Sequence, residues 1–240
     1  MTKYRYEHCM VCGQVLEYRD QSGPVTCCYC KQTATSAITC PGGHYVCDGC
    51  HSERSLQDLS ALAQKTLANA PEDILEELLT LPNLPMHGPE HHAMAGLALL
   101  LASQKLGISL PDNFIEEAIR RGMQIPGGSC GYHGACGAAV SLGVAVSIIT
   151  GATPVTGLAR GLSHRATAMA LLDCADDEAR CCKRALRKTV ATGREFFADE
   201  LGIDFPRPAS DPFCSDVARN QECTKEHCPY YRRSQKTRLQ

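Results

Sequence analysis

The chain contains sixteen cysteines in 240 residues, and their grouping limits what it can fold into. They lie in three blocks: from Cys9 to Cys50, at Cys130 and Cys136, and from Cys174 to Cys228. Cysteine at this density indicates a disulfide framework in a short secreted chain, but metal binding or thiol chemistry inside a cell. The first residues, MTKYRYEHC, contain no apolar stretch of the kind that a signal peptide needs. We therefore expect a cytoplasmic protein whose thiols are reduced or bound to metal.

The N-terminal block has the spacing of a metal-binding module. Fourteen residues separate the Cys9/Cys12 pair from the Cys27/Cys30 pair, which is the spacing of a zinc ribbon. The segment CPGGHYVCDGCH adds five more cysteines and histidines, four of which would complete a second site. Spacing alone does not decide whether the two metal sites use ligands that follow one another along the chain or ligands that interleave, as in cross-braced fingers. The predicted zinc ligands are Cys9, Cys12, Cys27, Cys30, Cys40, His44, Cys47 and Cys50, with Cys28 left over.

We expect this metal to be structural, because protein side chains would fill every coordination position and leave none open for a substrate. A reactive dithiol formed by Cys47 and Cys50 is the weaker alternative for the last pair.

The residues that follow have a helical pattern. Apolar side chains recur at helical spacing after Ser55, which we expect to cap the first helix. Pro71, Pro89, Pro111 and Pro154 mark the starts of later helices. The sequence predicts a mainly α fold, with a helical core of about six helices. A small N-terminal β module, resembling a zinc ribbon or treble clef, and a cysteine-bearing C-terminal tail complete it.

The last long helix is expected to begin near the acidic residues Asp176 and Asp177 and to reach about Leu201. The predicted domains are a zinc-binding module at 1–52, an all-α core at 53–205, and a tail at 206–240 that packs back on the core.

One uncharged stretch raises the question of a membrane span. Residues 122–159 contain no Lys, Arg, Asp or Glu. They are rich in Gly, Ala, Ser and Val and lack flanking aromatic residues, which favours a buried helix with close neighbours over a transmembrane helix. We expect no membrane association.

The central block suggests a reactive site. In PGGSCGYHGACGAA, glycines surround Cys130, His133 and Cys136, and a helix is expected to start at their end. Backbone N–H groups at a helix N-terminus attract anions and lower the pKa of a thiol, so Cys136 is the best candidate for a reactive thiolate or cluster ligand. The upstream motif HGPEHH places His91 near the start of another helix. The candidate catalytic residues are therefore Cys130, Cys136, His133 and His91.

The same HGPEHH motif matches the pattern of inverted zinc peptidases, but Pro89 at a helix start would leave His87 outside the helix. Close glycine-mediated helix packing, with cysteines as small filler, is the plain alternative for the central block.

The C-terminal block suggests a second metal centre. The segment RCCKR places two thiols among cations, which favours the thiolate form. The spacing of the tail cysteines and the Cys-Pro dipeptide at 228–229 fit iron–sulfur ligation, although zinc or no metal also fits. The candidate cluster ligands are Cys182, Cys214, Cys223 and Cys228. Cys174 is expected to be a buried apolar thiol.

The charge pattern argues against nucleic-acid binding. The formal net charge is −2, and the basic residues at the end of the chain, Arg232, Arg233, Lys236 and Arg238, are expected to be solvated.

Taken together, CMVCG, CPGGHYVCDGCH, HGPEHH, GGSCGYHGACGAA, RCCKR and CPYY resemble an uncharacterised cysteine-rich domain family. That family occurs mainly in anaerobic bacteria and archaea and is sometimes joined to methyltransferase or radical S-adenosylmethionine modules. The resemblance covers nearly the whole chain. It implies an oxygen-poor setting and an S-adenosylmethionine-dependent enzyme partner, and it assigns no role to any residue.

Two functions follow from these patterns. The first is a metal–thiolate protein with structural zinc and an iron–sulfur site that acts in anaerobic redox or sulfur-transfer chemistry. The second is a non-catalytic, zinc-stabilised module for protein interaction. The sequence leaves open whether the chain is an enzyme.

Overall fold

The computed structural model describes residues 8–81, 84–175 and 178–232, and only the backbone of Asp48, His51 and Ser52. The predicted helix start at Asp176 and Asp177 and the basic residues beyond Arg232 lie outside the described residues.

The N-terminal module is built on one β-hairpin. Strands β1 (Glu17–Thr26) and β2 (Thr33–Thr39) pair antiparallel, with a register shift between Tyr18 and Gly23. An isolated bridge between His8 and Val15 extends the base of the hairpin. The two ends of the hairpin are therefore separate places at which knuckle turns can present thiols.

Helices form most of the regular structure in the rest of the described chain, which confirms the predicted mainly α fold with a small β module. The α-helices are α1 (Asp48–Ala63), α2 (Pro71–Leu78), α3 (Met94–Lys105), α4 (Phe114–Met123), α5 (Ser129–Tyr132), α6 (Gly137–Thr150), α7 (Gly157–Cys174) and α8 (Cys182–Leu201). Two short 3-10 helices occur at Pro89–His92 and Lys225–His227.

Helices α4 and α7 begin three residues after the predicted Pro111 and Pro154, and two other helix starts differ more from the predictions. Helix α1 begins at Asp48, directly after Cys47, and Ser55 is a buried residue within it rather than its cap. Pro89 opens a 3-10 helix, and α3 begins only at Met94. The first turns of α1 carry Cys50 in place of an apolar stripe, and a 3-10 turn with His91 and His92 precedes α3, so a purely apolar pattern reports neither start.

The core surrounds α3, whose residues from Met94 to Ser103 are all buried. Helix α3 lies close to α6, because Gly96 donates its N–H to Ser141 Oγ at 3.1 Å. Gly151, with φ of 63°, ends α6 and leads into α7. Helices α6 and α7 contact each other extensively across this short connection, which brings the start of α6 beside the end of α7.

Helix α8 carries buried cations into the core. Arg187 Nε lies 2.6 Å from Glu76 Oε1 on α2. Two turns further along α8, Arg194 Nε lies 2.6 Å from Oε1 of Glu72, which is one turn before Glu76 on α2. Arg187 also donates to the carbonyl of Phe213 at 3.1 Å, so that α8 holds both α2 and the tail.

The tail makes further contacts with the helices. The N–H of Ala209 lies 2.9 Å from Asp73 Oδ2, and Arg219 Nη2 donates to the Leu84 carbonyl at 2.8 Å. No helix in the described part of the chain is long and apolar enough to cross a membrane.

The close approach of α3 and α6 generates a stability prediction. A Cβ at Gly96 would overlap the Ser141 backbone, so we expect Gly96→Ala to lower the free energy of unfolding by about 1–3 kcal/mol. Gly161→Ala in α7 is the matched control, because a Cβ there meets nothing within 4 Å. The control should be neutral or stabilising by up to about 1 kcal/mol. Urea unfolding measures both changes, and equal effects of the two substitutions would contradict the packing described.

Candidate functional site

Eight donors of the N-terminal module form two groups that interleave along the chain. Within each group, the candidate ligand atoms all lie within 4.8 Å of one another. One group is Cys9, Cys12, Cys40 and His44; the other is Cys27, Cys30, Cys47 and Cys50. The first and second cysteine pairs therefore belong to different groups. The ligand groups therefore have the interleaved arrangement of cross-braced fingers and not the sequential arrangement of a zinc ribbon.

The hairpin explains this interleaving. The first group lies at the base, where β1 begins and β2 ends, while Cys27 and Cys30 lie in the connection at the other end. The chain after β2 supplies Cys40 and His44 to the base and then reaches Cys47 at the start of α1. Cys28 belongs to neither group and donates its N–H to the Tyr45 carbonyl at 2.8 Å.

The distances between donor atoms in each group suit one metal ion per group. Cys12 Sγ lies 3.5 Å from Cys40 Sγ, and Cys40 Sγ lies 3.6 Å from His44 Nδ1. In the second group, Cys30 Sγ lies 3.6 Å from Cys47 Sγ. Thiolates around a tetrahedral zinc ion are about 3.8 Å apart, since each Zn–S bond is about 2.3 Å. The residues present therefore fit a metal ion in each group.

Backbone N–H groups lower the pKa of two of these thiols and so favour the thiolate form that binds metal. The N–H of Cys47 lies 3.4 Å from Cys27 Sγ and is the main reason that the pKa of Cys27 is lowered to about 6. Burial opposes ionisation of Cys40, but the N–H of Gly42, 3.3 Å from its sulfur, helps to lower its pKa to about 6. Each group thus contains a thiol that ionises readily, which is the form that binds metal.

The four predicted catalytic residues have different surroundings. Cys130 in α5 and His133 just after it are exposed, Cys136 is half-buried, and His91 is fully buried. Among the described residues, none of the four belongs to a group of three or more donor atoms within 4.8 Å of one another. Gly128 and Gly134, with φ of 86° and 64°, shape the loop so that it presents Cys130 to solvent and turns Cys136 inward.

Cys136 caps the N-terminus of α6 and contacts a second thiol. The Cys174 thiol at the end of α7 lies near enough to stabilise the Cys136 thiolate, and the backbone N–H groups of Ala139 and Ala138 act in the same direction. The Cys174 thiol is the largest cause that lowers the pKa of Cys136 to about 6, against the opposing effect of burial. The same interaction raises the pKa of Cys174, which remains a thiol. The pair consists of one thiolate and one thiol at neutral pH.

Cys174 was predicted to be a buried apolar thiol, but in the structure its sulfur has polar neighbours. It is half-buried, and its sulfur lies 3.9 Å from both the Ala185 carbonyl and Thr189 Oγ1. No local motif marks it, because its partner Cys136 becomes its neighbour only through the packing of α6 on α7.

The histidines after Pro85 lie beside the start of α6. His92 Nδ1 lies 2.9 Å from the Ile125 carbonyl, and its ring packs where a Cβ of residue 137 would stand, so Gly137 is required. His91 Nδ1 lies 3.1 Å from the Gly88 carbonyl. Burial, reinforced by the Lys183 cation, lowers the pKa of His91 to about 3, so its ring is neutral.

The start of α8 faces the turn at Gly88 that precedes these histidines. Burial raises the pKa of Cys182 to about 11, although the nearby N–H of Gly88 acts to lower it. The expectation that nearby cations make Cys182 a thiolate is therefore wrong, because burial outweighs them. Lys183 follows it with a side chain that is fully buried, and its Nζ lies 3.7 Å from Asp216 Oδ2 in the tail. No sequence signal marks a buried lysine at this position.

The predicted cluster ligands do not form a single-ion site. Among the described residues, only the N-terminal module has three or more donor atoms within 4.8 Å of one another. Cys214 N–H donates to the Tyr230 carbonyl at 2.8 Å, which folds the tail upon itself. The candidate ligands Cys182, Cys214, Cys223 and Cys228 are all half-buried.

A family model described as "Family of unknown function (DUF5714)" matches residues 59–231. The matched stretch contains Cys136, Cys174, His91 and Lys183 and begins after the last donor of the N-terminal groups. No curated protein and no solved structure matches the chain significantly.

The interleaved pairing generates a prediction about metal spectra. In cobalt-loaded protein with both Cys9→Ser and Cys12→Ser, the surviving group contains four cysteines and no histidine. We expect its absorption spectrum to be that of an all-thiolate tetrahedral site, because ligand type sets the spectrum. A sequential pairing would instead leave the group with His44 and give a three-sulfur, one-nitrogen spectrum.

Cys28→Ser serves as the matched control in the same experiment. It should retain two ions per chain, because Cys28 belongs to neither group.

Proposed function

The chain belongs to the Family of unknown function (DUF5714), and we propose that it is a metal-stabilised protein for thiol redox or sulfur-transfer chemistry. Its reacting groups would be Cys136 and Cys174, and zinc would hold the N-terminal module. The observation that carries the proposal is the placement of the Cys174 thiol, at the end of α7, beside Cys136, the N-cap residue of α6.

The geometry gives the two sulfurs different roles. Cys136, with a pKa of about 6, is mostly thiolate at neutral pH and is the nucleophile. It attacks one sulfur of a substrate disulfide, forms a mixed disulfide and releases the other substrate sulfur as a thiolate. Cys174 then gives up its proton and attacks Cys136. The second substrate thiol leaves, and the substrate is reduced as the Cys136–Cys174 pair is oxidised.

Zinc in the N-terminal groups is supported by their donor chemistry. Three thiolates with one imidazole, and four thiolates, are the sets that structural zinc sites use. All donors come from protein, so the role proposed for these ions is to hold the hairpin against α1. Metal binding would then contribute directly to folding of this module.

Several finer predictions belong to the same proposal. An iron–sulfur cluster at Cys182, Cys214, Cys223 and Cys228 is supported by the spacing of the tail cysteines and the Cys-Pro dipeptide. An oxygen-poor setting, a cytoplasmic location and an S-adenosylmethionine-dependent partner rest on composition and on the family resemblance. The division into domains at 1–52, 53–205 and 206–240 also stays a prediction.

A second candidate function is an interaction module. It is favoured by apolar side chains on the N-terminal module, where Val11, Val15 and Tyr29 are each exposed by more than 40%. Zinc-stabilised modules with such side chains can dock other proteins. This function requires no chemistry at Cys136, so the two candidates differ in whether Cys136→Ala abolishes activity in a folded protein.

The reactivity of Cys136 tests the first proposal. We expect its alkylation by iodoacetamide, followed by mass spectrometry of the Cys136 peptide, to be half-maximal near pH 6. In Cys174→Ala the loss of the neighbouring thiol should raise the pKa of Cys136 and slow its alkylation near pH 6 by roughly fivefold or more. Cys174→Ser, which retains a donor, should preserve most of the rate.

Cys130→Ala is the matched control, because Cys130 is exposed and outside the pair. It should leave the pH profile of Cys136 unchanged. A wild-type profile with its midpoint in the ordinary range of a thiol, about pH 8.5, would refute the proposed thiolate.

Metal analysis tests the cofactors separately. Protein made and purified without oxygen should contain two zinc ions per chain in the N-terminal groups. An iron–sulfur cluster would add iron and acid-labile sulfide that Cys214→Ser and Cys228→Ser remove together. Folded, active protein with zinc but no iron would refute the cluster and leave the thiol pair untouched.

A further inference from the structure

Helix α7 exposes one apolar face to solvent. The structure describes all of its residues, and only Ala166 and Ala170 are buried, on the side that packs against α6 and α8. Leu158 and Leu172 lie on the opposite side and are 78% and 77% exposed, and Met169 between them is 41% exposed. Large apolar side chains that are exposed together on one face indicate a surface that another molecule covers, whereas scattered single ones do not.

The spacing of these residues places them on one stripe. Each residue turns a helix by about 100°, so positions seven, eleven and fourteen residues after Leu158 return to within about 40° of it. These positions are occupied by Arg165, Met169 and Leu172. Arg165 is the one charged residue of the stripe and stands at its centre. The face is therefore an apolar strip of about four turns with a single cation in the middle.

The stripe is symmetric about Arg165. Leu158 and Leu172 each lie seven residues from it, and Gly161 and Met169 each lie four residues from it. If two copies of α7 pack antiparallel around a two-fold axis at Arg165, Leu158 of one copy meets Leu172 of the other. Met169 meets Gly161 in the same way, and a Cβ at Gly161 would have nothing within 4 Å, so there is room for the methionine side chain. A two-fold contact requires such self-complementarity.

The charges at the centre also fit a second copy. Arg165 Nη2 donates to Glu200 Oε2 on α8 at 2.8 Å, and both side chains remain partly exposed. At a two-fold axis two such pairs would lie side by side, with two cations facing two carboxylates. A guanidinium has five N–H donors, so each Arg165 can bond its own Glu200 and that of the second copy. The charges at the centre of the contact are then balanced.

We propose that this face of α7 is a contact between two copies of the chain, packed antiparallel about Arg165. Val155, which precedes α7 and is 92% exposed, extends the contact at each end. One helix face is at the lower end of interface sizes, so the dimer should dissociate at micromolar concentrations. The symmetry of the stripe favours a second copy over a different protein or a membrane, because neither of those requires it.

The contact is independent of the thiol chemistry proposed above. Cys174 lies on the other side of α7, where its sulfur is 3.9 Å from the Ala185 carbonyl of α8. Each copy in the dimer would therefore keep its own thiol pair, and loss of the contact would leave the pair in place.

Sedimentation velocity of the zinc-loaded chain over the micromolar range tests this contact. The wild type should shift from monomer to dimer as its concentration rises. Leu172→Glu should weaken association by about tenfold or more, because each dimer contains the change twice and places a carboxylate against an apolar side chain. Leu67→Glu is the matched control, since Leu67 is 86% exposed and lies outside α7. It should dimerise as the wild type does.

Mixing two variants tests the antiparallel arrangement. Leu158→Lys alone should also associate more weakly than the wild type. A mixture of Leu158→Lys and Leu172→Glu chains should dimerise more strongly than either variant alone, because the introduced lysine faces the introduced glutamate at one end and the native leucines meet at the other. No gain on mixing, or equal effects of Leu172→Glu and Leu67→Glu, would overturn the proposal. A wild-type chain that stays monomeric at every concentration would also overturn it and would assign the face to a different protein or a membrane.

Discussion

The buried cations of α8 are the constraint on which the other helices and the tail depend. A charge taken out of water costs several kcal/mol unless a partner compensates it. Arg187 has such a partner in Glu76, and the partly exposed Arg194 pairs with Glu72, so α2 must lie along α8. Lys183, one turn before Arg187, is served only at a distance by Asp216 of the tail. These pairs thus hold α2 and the tail against α8.

The thiol pair depends on a different kind of constraint, which is close helix packing. Small residues allow α6 to approach α3 and α7, and Gly137 makes room for the His92 ring at the start of α6. Because α6 and α7 are connected by a short turn, the cap of one helix meets the end of the other. The proximity of Cys136 and Cys174 is a consequence of that geometry, and the low pKa of Cys136 is the basis of the thiol chemistry proposed for the helical part of the chain.

The sequence predicted most helices and the eight N-terminal donors, because prolines, glycines and CxxC knuckles act locally. It left the donor pairing open, since pairing depends on which end of the hairpin each knuckle occupies. It identified Cys136 from its glycine-rich loop but missed Cys174, whose partner is distant in sequence. Lys183 was missed for a related reason: a lysine in a helix pattern indicates a solvated face, and only tertiary packing buries it.

Disulfide mapping tests the proposed thiol pair most directly. Zinc-loaded protein would be equilibrated with oxidised glutathione, alkylated, digested and analysed by mass spectrometry. The pair predicts one reversible disulfide between Cys136 and Cys174, formed while both metal ions are retained and absent from Cys174→Ala. Recovery of Cys136 and Cys174 as separately alkylated residues, with disulfides only among the N-terminal cysteines and loss of zinc, would contradict a reaction centre in the helical domain.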